Sequence, residues 1–320
     1  MSEHNTNLST FAQDVDQGFS APVKYISSKY FYDDAGDVLF QKIMRLPEYY
    51  LTPSELEIFQ QQSTDIIRDA QLQPGVQLIE LGAGDGTKTK ILLKELMKSG
   101  IDFTYYPIDI SSHVLEDLER NMKTELGEGL KVIPVAGEYF EALSSEHFST
   151  RQQKFILFLG STIGNFSDDD GSKFIHKLSH VMTSQDLLMV GFDLKKNPQV
   201  IADAYNDAQG ITRAFNMNLL LRINRELDAN FDIGQFVHYP IYDPEFGAAK
   251  SYLVSKKQQS VYIGALEKRF HFNSGEVIFT EISRKYDQPE IERQAHAAGL
   301  KVKHTYQDQK QYFADVLMTK

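Results

Sequence analysis

Along the middle of the chain the spacing of apolar positions switches back and forth between two periods. VQLIEL (76–81) is a short, mostly apolar run of strand length, and TKTKILLKELMKSG (87–100) then places its apolar residues three and four apart and closes on Gly100. The alternation continues with a strand over 102–110, a helix over 111–126, strands over 131–137 and 154–160, a helix with an acidic start over 167–182, and a strand over 186–194. Five strands separated by helices predict a parallel sheet covered on both faces.

The flanks read differently. Residues 1–20 are polar and predict a loosely packed start, and 21–60 are rich in aromatics, with a helix ending near Pro47 and another opening at Pro53 behind Thr52 as its cap. After 196 the strand–helix alternation stops. Two helices divided at Gly210 are followed by strands over 236–243, 250–264 (in two pieces) and 276–286, and a helix over 289–300 and a strand over 312–320 restore the earlier style. The expected fold is therefore α/β: a Rossmann-like, doubly wound nucleotide-binding domain from 61–195 plus 285–320, and a second, discontinuous α+β domain from 1–60 plus 196–284.

Composition narrows the possible functions. The formal net charge of −11 argues against a broad nucleic-acid surface, and no dense Lys/Arg run is present. No apolar stretch has the length of a membrane span and the N-terminus shows no signal-peptide core. The chain has no cysteine, which suits a reducing cytoplasm, and its nine histidines form no HExxH-type pair, so no metal is expected.

The candidate chemistry begins at LIELGAGDGTK (78–88), where an apolar strand meets Gly82, Gly84 and Gly86. The dinucleotide fingerprint GxGxxG requires a third glycine at position 87, which is Thr87; the P-loop pattern lacks its second glycine as well. What remains is a loop that lets the backbone approach an adenosine ligand without an evident pyrophosphate cradle. S-adenosylmethionine (SAM) suits it, being an adenosine cofactor without phosphate. Asp109 ends the following strand, where an acid can accept both ribose hydroxyls. Lys88 can meet the methionine carboxylate; a solvated helix-start lysine fits that position equally well.

A second polar edge, FLGSTIGNF (158–166), follows the strand over 154–160. Asn165 offers a donor and an acceptor to an amino acid's amine and carboxylate, and an ordinary loop ahead of a helix capped by Ser167 accounts for the same residues. In EVIFTEISRKY (276–286) period-two alternation puts Glu281 and Ser283 on one face, with Val277, Phe279 and Lys285, so that a carboxylate and a hydroxyl can bond both nitrogens of an imidazole. Tyr205 sits at helical spacing with Ile201 and Ala204, which also suits plain packing.

Over residues 24–320 the sequence resembles the SAM-dependent histidine Nα-methyltransferases of ergothioneine biosynthesis, which make the trimethyl betaine hercynine. KYFYDDAGDVLFQKIMRLPEYYLTPSE, IELGAGDGTKT, PIDIS, FLGSTIGNF, AYNDAQGITRAFNMNLL and FTEISRKY carry the resemblance. It implies a class I methyltransferase sheet with a substrate-binding domain, SAM as cofactor, and a free amino acid as substrate. By resemblance Gly82, Gly84, Lys88, Asp109 and Gly160 bind SAM, and Glu138-Tyr139 flank the adenine where the family usually has Asp-Phe. Asn165 and Tyr205 hold the amino-acid head group, Tyr32 and Tyr49 line the substrate pocket, and Glu281 and Ser283 receive the imidazole; for methyl transfer to the amine, Tyr32 is expected to orient the lone pair or accept the proton through water. Lys250-Ser251-Tyr252 stand where the family places a methionine, a departure at the side-chain pocket. The expectations are a cytoplasmic monomer that methylates histidine. The alternatives are the same design acting on another small amino acid or amine, and a nicotinamide-dependent oxidoreductase.

Overall fold

Strand Val76–Leu81 is buried along its whole length because it lies in the interior of a seven-stranded sheet. The computed structural model describes residues 9–110, 112–144, 148 and 151–320. On one side of Val76–Leu81 run Phe103–Asp109 and the two-residue Val135–Ala136, both parallel. On the other side come Lys154–Phe158 and Leu187–Asp193, also parallel, then Phe313–Thr319, which runs antiparallel, and the edge strand Lys301–Gln307, antiparallel to Phe313–Thr319 and so in the direction of the rest. The chain winds outward in one direction through residue 136 and then returns to wind outward in the other. The reversal lies between Val76–Leu81 and Lys154–Phe158, and their carboxyl ends frame the crevice where such sheets take ligands.

Alternate residues feed two cores, one on each face. Val76, Leu78, Phe155, Leu157, Met189 and Leu317 pack under helices Leu51–Ala70, Thr89–Lys98 and Ser112–Leu126. Ile79, Leu81, Ile156, Phe158, Val190 and Val316 pack against Asp168–Val181 and Gln288–Ala297. This compact unit comprises Tyr50–Lys195 and Arg284–Lys320.

A separate unit comprises residues 9–49 and Lys196–Ser283. Its four-stranded sheet runs Lys24–Tyr25, Val277–Arg284, Ala248–Ser255, Phe236–Asp243, and a hairpin pairs Gln259–Ile263 with Lys268–Phe272. Helix Ile211–Leu227 buries Phe215, Leu219, Leu220 and Ile223 in a core shared with Phe31, Leu253 and Ile278.

Several elements differ from the sequence reading. The division falls at Tyr49–Tyr50 rather than at residue 60, because Leu51–Ala70 is one uninterrupted helix whose Ile58, Phe59, Ile66 and Ile67 all pack in the sheet unit. Thr52 does not cap that helix, which begins at Leu51, two residues before Pro53, with Tyr50 in the cap position. The loosely packed start is in fact helix Thr10–Ser20 over the part described, held by buried Phe11, Val15 and Phe19 and capped by Ser9. Lys301–Gln307 and Lys268–Phe272 are additional strands, and the strand expected over 131–137 shortens to Val135–Ala136. Strand Val277–Arg284 stops before Lys285, whose buried ammonium pairs with Asp193 at 2.7 Å in the sheet unit. Lys285 therefore does not continue the face of Glu281.

Candidate active site

The glycine edge is built from one strand end and its neighbours. Gly82 turns out of Val76–Leu81 with φ +71°, and a Cβ there would lie 2.8 Å from the Tyr139 hydroxyl, so only glycine leaves room between strand end and ring. Gly84 also has positive φ, and Asp85 steadies the loop by accepting the Thr87 N–H at 3.0 Å. Burial first, then the charges of Asp109 and Glu138, push the Tyr139 phenol up to about 12. Asp109, Glu138 and Tyr139, expected to hold ribose and adenine, are thus electrostatic neighbours beside the loop.

Lys88 stands at the start of helix Thr89–Lys98 and ion-pairs with Glu55, a residue with 1% exposure. Burial works to lower the Lys88 pKa, but the Glu55 carboxylate outweighs it and holds the ammonium above its ordinary value. Lys88 is therefore a tethered cation and not a solvated helix-start lysine. Its Nζ lies 3.4 Å from where a Cβ on Gly160 would stand. Gly160 and Ser161 are consecutive left-handed residues (φ +75° and +56°), which turn the chain sharply at the end of Lys154–Phe158. The strained Ser161 is held by its hydroxyl, which accepts the Asp193 N–H at 3.1 Å. Asn165 is exposed at the end of the 3-10 turn Thr162–Asn165, and Ser167 caps the helix that follows.

The amino-acid candidates other than Asn165 lie in the second unit. Helix Pro198–Tyr205 opens with an Asn197 cap and proline at its first position, and it ends on Tyr205, which is buried. The Tyr205 hydroxyl donates to Ser283 Oγ at 2.7 Å, joining two residues that the sequence separates by 78 positions. Just after Tyr205, Asp207 accepts the N–H groups of Ile211 and Thr212 at 2.9 and 2.7 Å, which fixes the turn into the next helix. Along Val277–Arg284, Ile278 and Thr280 face the core, while Val277, Phe279 and Glu281 are half-buried on the other face. Tyr252 packs against Phe279 at a tilt, with ring centroids 5.6 Å apart. Ser251 instead faces the core, near His238 Nε2 at 3.3 Å, so the unusual Lys250-Ser251-Tyr252 stretch presents Lys250 and Tyr252, not Ser251, on the face of Glu281.

Tyr32 and Tyr49 flank one ring, Phe40, both edge-on, at 5.6 and 6.4 Å. Tyr32 is 45% exposed and immediately precedes Asp33, which caps the following helix. Asp33 accepts from Gly36 N–H and Asn218 Nδ2, both at 2.7 Å, and pairs with Arg225. Asp33, Glu55 and Asp207 went unread in the sequence. Each is a single acid among many, and only Asp33, directly after Tyr32 and ahead of a helical pattern, carried a cap signal. Among the described residues no group of three or more His, Asp or Glu is placed to hold a metal, and no helix is long and apolar enough to cross a membrane.

Glycine-lined strand ends at the switch point, a tethered cation and an acid–aromatic cluster fit a phosphate-free adenosine cofactor. Comparison with known proteins decides the family: a model described as histidine-specific methyltransferase, SAM-dependent, matches residues 11–320. The chain belongs to this family. Histidine N-alpha-methyltransferase of Mycolicibacterium smegmatis is 34% identical to this SAM-dependent methyltransferase, covering 92% of this chain and 90% of its own. The Mycobacterium tuberculosis protein of the same name is also 34% identical, covering 90% and 88%. Ergothioneine biosynthesis protein 1 of Schizosaccharomyces pombe is 29% identical over 92% of this chain, which spans only 39% of that longer protein. Membership makes the chain a methyltransferase with SAM as methyl donor and sets aside the nicotinamide reading.

Proposed function

We propose that this methyltransferase transfers methyl groups from SAM to the α-amine of free L-histidine, three times in succession, to give the betaine hercynine. The observation that carries the substrate assignment is the Tyr205–Ser283 hydrogen bond, with Glu281 two residues away on the same strand. It puts hydroxyls and a carboxylate, the groups that complement an amino-acid head and an imidazole, on neighbouring positions of the substrate unit.

SAM supplies an electrophilic methyl group on a sulfonium. Before each transfer the substrate's ammonium loses one proton; the neutral amine's lone pair then forms the N–C bond as the C–S bond breaks, with the electron pair staying on sulfur, so the third product is a quaternary ammonium without an N–H. Gly82, Gly84 and Gly160 admit the cofactor, Asp109 accepts from its ribose, Glu138 and Tyr139 flank the adenine, and Lys88 faces its carboxylate. Asn165 and Tyr205 hold the substrate's head group, and Glu281 and Ser283 hold both ring nitrogens. Tyr32 passes toward water the proton that the ammonium loses before each attack and then orients the neutral amine, a role that suits a half-exposed phenol. The Tyr32–Phe40–Tyr49 rings offer aromatic faces to the growing quaternary ammonium. Position and exclusion of water account for the rest of the rate, because the electrophile is already activated.

In this reading the enzyme is a cytoplasmic monomer with no nucleic-acid or membrane partner. The deciding experiment is incubation with SAM and a panel of free amino acids, read by mass spectrometry. Histidine gaining up to three methyl groups is expected; methylation of another amino acid in preference would overturn the substrate assignment. Light scattering tests the monomer.

A further inference from the structure

The cofactor edge rests on a buried acid cluster that the methyl-transfer scheme does not use. Glu55 enters it from the first turns of Leu51–Ala70. One carboxylate oxygen pairs with the Lys88 ammonium, and the other accepts the Gly160 N–H at 2.7 Å. A single side chain thus ties the loop after Val76–Leu81 to the loop after Lys154–Phe158, the two strand ends that frame the switch point. It reaches them across Gly191, where a Cβ would come within 2.7 Å of Glu55 Oε1.

Asp315 lies behind Glu55, opposite Gly191 in the strand register, and is fully buried. As an ionised acceptor it has no donor: no N–H or O–H reaches either carboxyl oxygen, and the group within hydrogen-bonding reach is the Glu55 carboxylate. As a neutral acid it becomes a donor, with the Glu55 carboxylate beside it as acceptor. Burial, then the charge of Glu55, drive its carboxyl well above the ordinary range against the pull of Lys88. Charge balance agrees. Glu55, Glu80 and Asp315 are three buried carboxyls near one ammonium, Lys88, and burial also pushes Glu80 up to about 7 despite hydrogen bonds from Thr89 and Tyr105.

We propose that Glu55 is a positioning residue for the methyl-donor site, fixing Lys88 and the Gly160 N–H together, and that a protonated Asp315 holds Glu55 in place through a carboxylic acid–carboxylate hydrogen bond. The inference rests on the reading that Lys88 and Gly160 face SAM.

The test compares full-length Glu55→Gln, Asp315→Asn, Asp315→Leu and Lys88→Ala. Calorimetry reads S-adenosylhomocysteine affinity, and steady-state kinetics at saturating SAM reads the histidine KM. Glu55→Gln should weaken the cofactor product at least about tenfold with the histidine KM moving less than about twofold. Asp315→Asn keeps a neutral donor and should hold affinity within about threefold, whereas Asp315→Leu should lose it like Glu55→Gln. Asp315→Asn as damaging as Glu55→Gln would show an ionised Asp315 and overturn the proposal, as would unchanged affinity in Glu55→Gln. Unchanged affinity in Lys88→Ala would instead sink the underlying reading of the cofactor site. If Glu55→Gln does not fold, melting temperature against pH decides. A neutral Asp315, facing Glu55 and Lys88 with Glu80 nearby, makes the native protein less stable as pH rises above the unfolded aspartate pKa. The Tm of Asp315→Asn minus that of the native chain should then grow from pH 5 to 8, and a flat difference refutes a protonated Asp315.

Discussion

Tyr205 donates its phenolic proton to Ser283 Oγ at 2.7 Å, so the end of a helix and the end of a strand present their hydroxyls as one unit. Tyr205→Phe leaves Ser283 buried without that donor. Histidine kcat/KM should fall about tenfold to a hundredfold, the range of a lost hydrogen bond to a buried partner, with SAM affinity unchanged by calorimetry. Equal loss of both would mean that the pair supports folding rather than substrate.

Glu281→Ala should cost histidine turnover far more than SAM binding and should narrow the preference for histidine in the amino-acid panel. Glu281→Gln, which keeps a hydrogen-bonding group without the charge, should fall between the two. A parallel decline in SAM affinity would remove Glu281 from the imidazole site.

Asp109→Ala removes the acid that stands with Glu138 beside Tyr139. SAM affinity by calorimetry should drop about tenfold or more, with little change in histidine KM at saturating SAM. Unchanged affinity would refute a ribose contact.

How much of this was legible follows from the kind of signal each residue carries. The strands around the glycine loop were readable because buried parallel strands are apolar on both faces, and a glycine pattern that fits neither the dinucleotide motif nor the P-loop, with Asp109 ending the next strand, turned the reading toward SAM. Lys301–Gln307 was not, since KVKHTYQ has one buried residue, Tyr306, and otherwise looks like a polar loop. Thr10–Ser20 was there to be read in Phe11, Val15 and Phe19, spaced four apart, but the surrounding polarity masked it. Glu55 lies in an amphipathic helix where an acid suggests solvent, and only the distant Lys88 and Gly160 give it a purpose. Groups that meet across 33 and 105 residues leave no local period.

His238 is buried beside Ser251, and desolvation pushes its imidazole down to about 4. Between about pH 4 and 6.5 the unfolded chain therefore binds a proton that the folded protein does not. The stability tied to neutral His238 is whole above pH 6.5 and lost progressively as pH falls toward 4, about 3 kcal/mol in all. His238→Gln should flatten this acid limb in a plot of Tm against pH; an unchanged limb would place the acid sensitivity elsewhere.

Lys285 and Asp193 form an ion pair with neither side chain exposed, and the Tyr50 hydroxyl donates to the same carboxylate at 2.8 Å. Lys285→Met leaves that carboxylate buried without its cation. Chemical denaturation should show a loss of about 3–5 kcal/mol, while Lys285→Met combined with Asp193→Asn should recover part of it. No recovery in the double variant would argue against a charge effect.

Strand Phe313–Thr319 reads FADVLMT and is buried on both faces, so its apolar residues satisfy either facing equally well. Its one ionisable side chain is Asp315, opposite Gly191. A slip of one residue would turn every side chain over, bring Ala314 or Val316 toward Glu55, and drive a carboxyl into the aliphatic layer of Ile156, Leu188 and Val190. The acid thus makes a misregistered sheet costly in a strand where hydrophobicity alone cannot tell one alignment from the next.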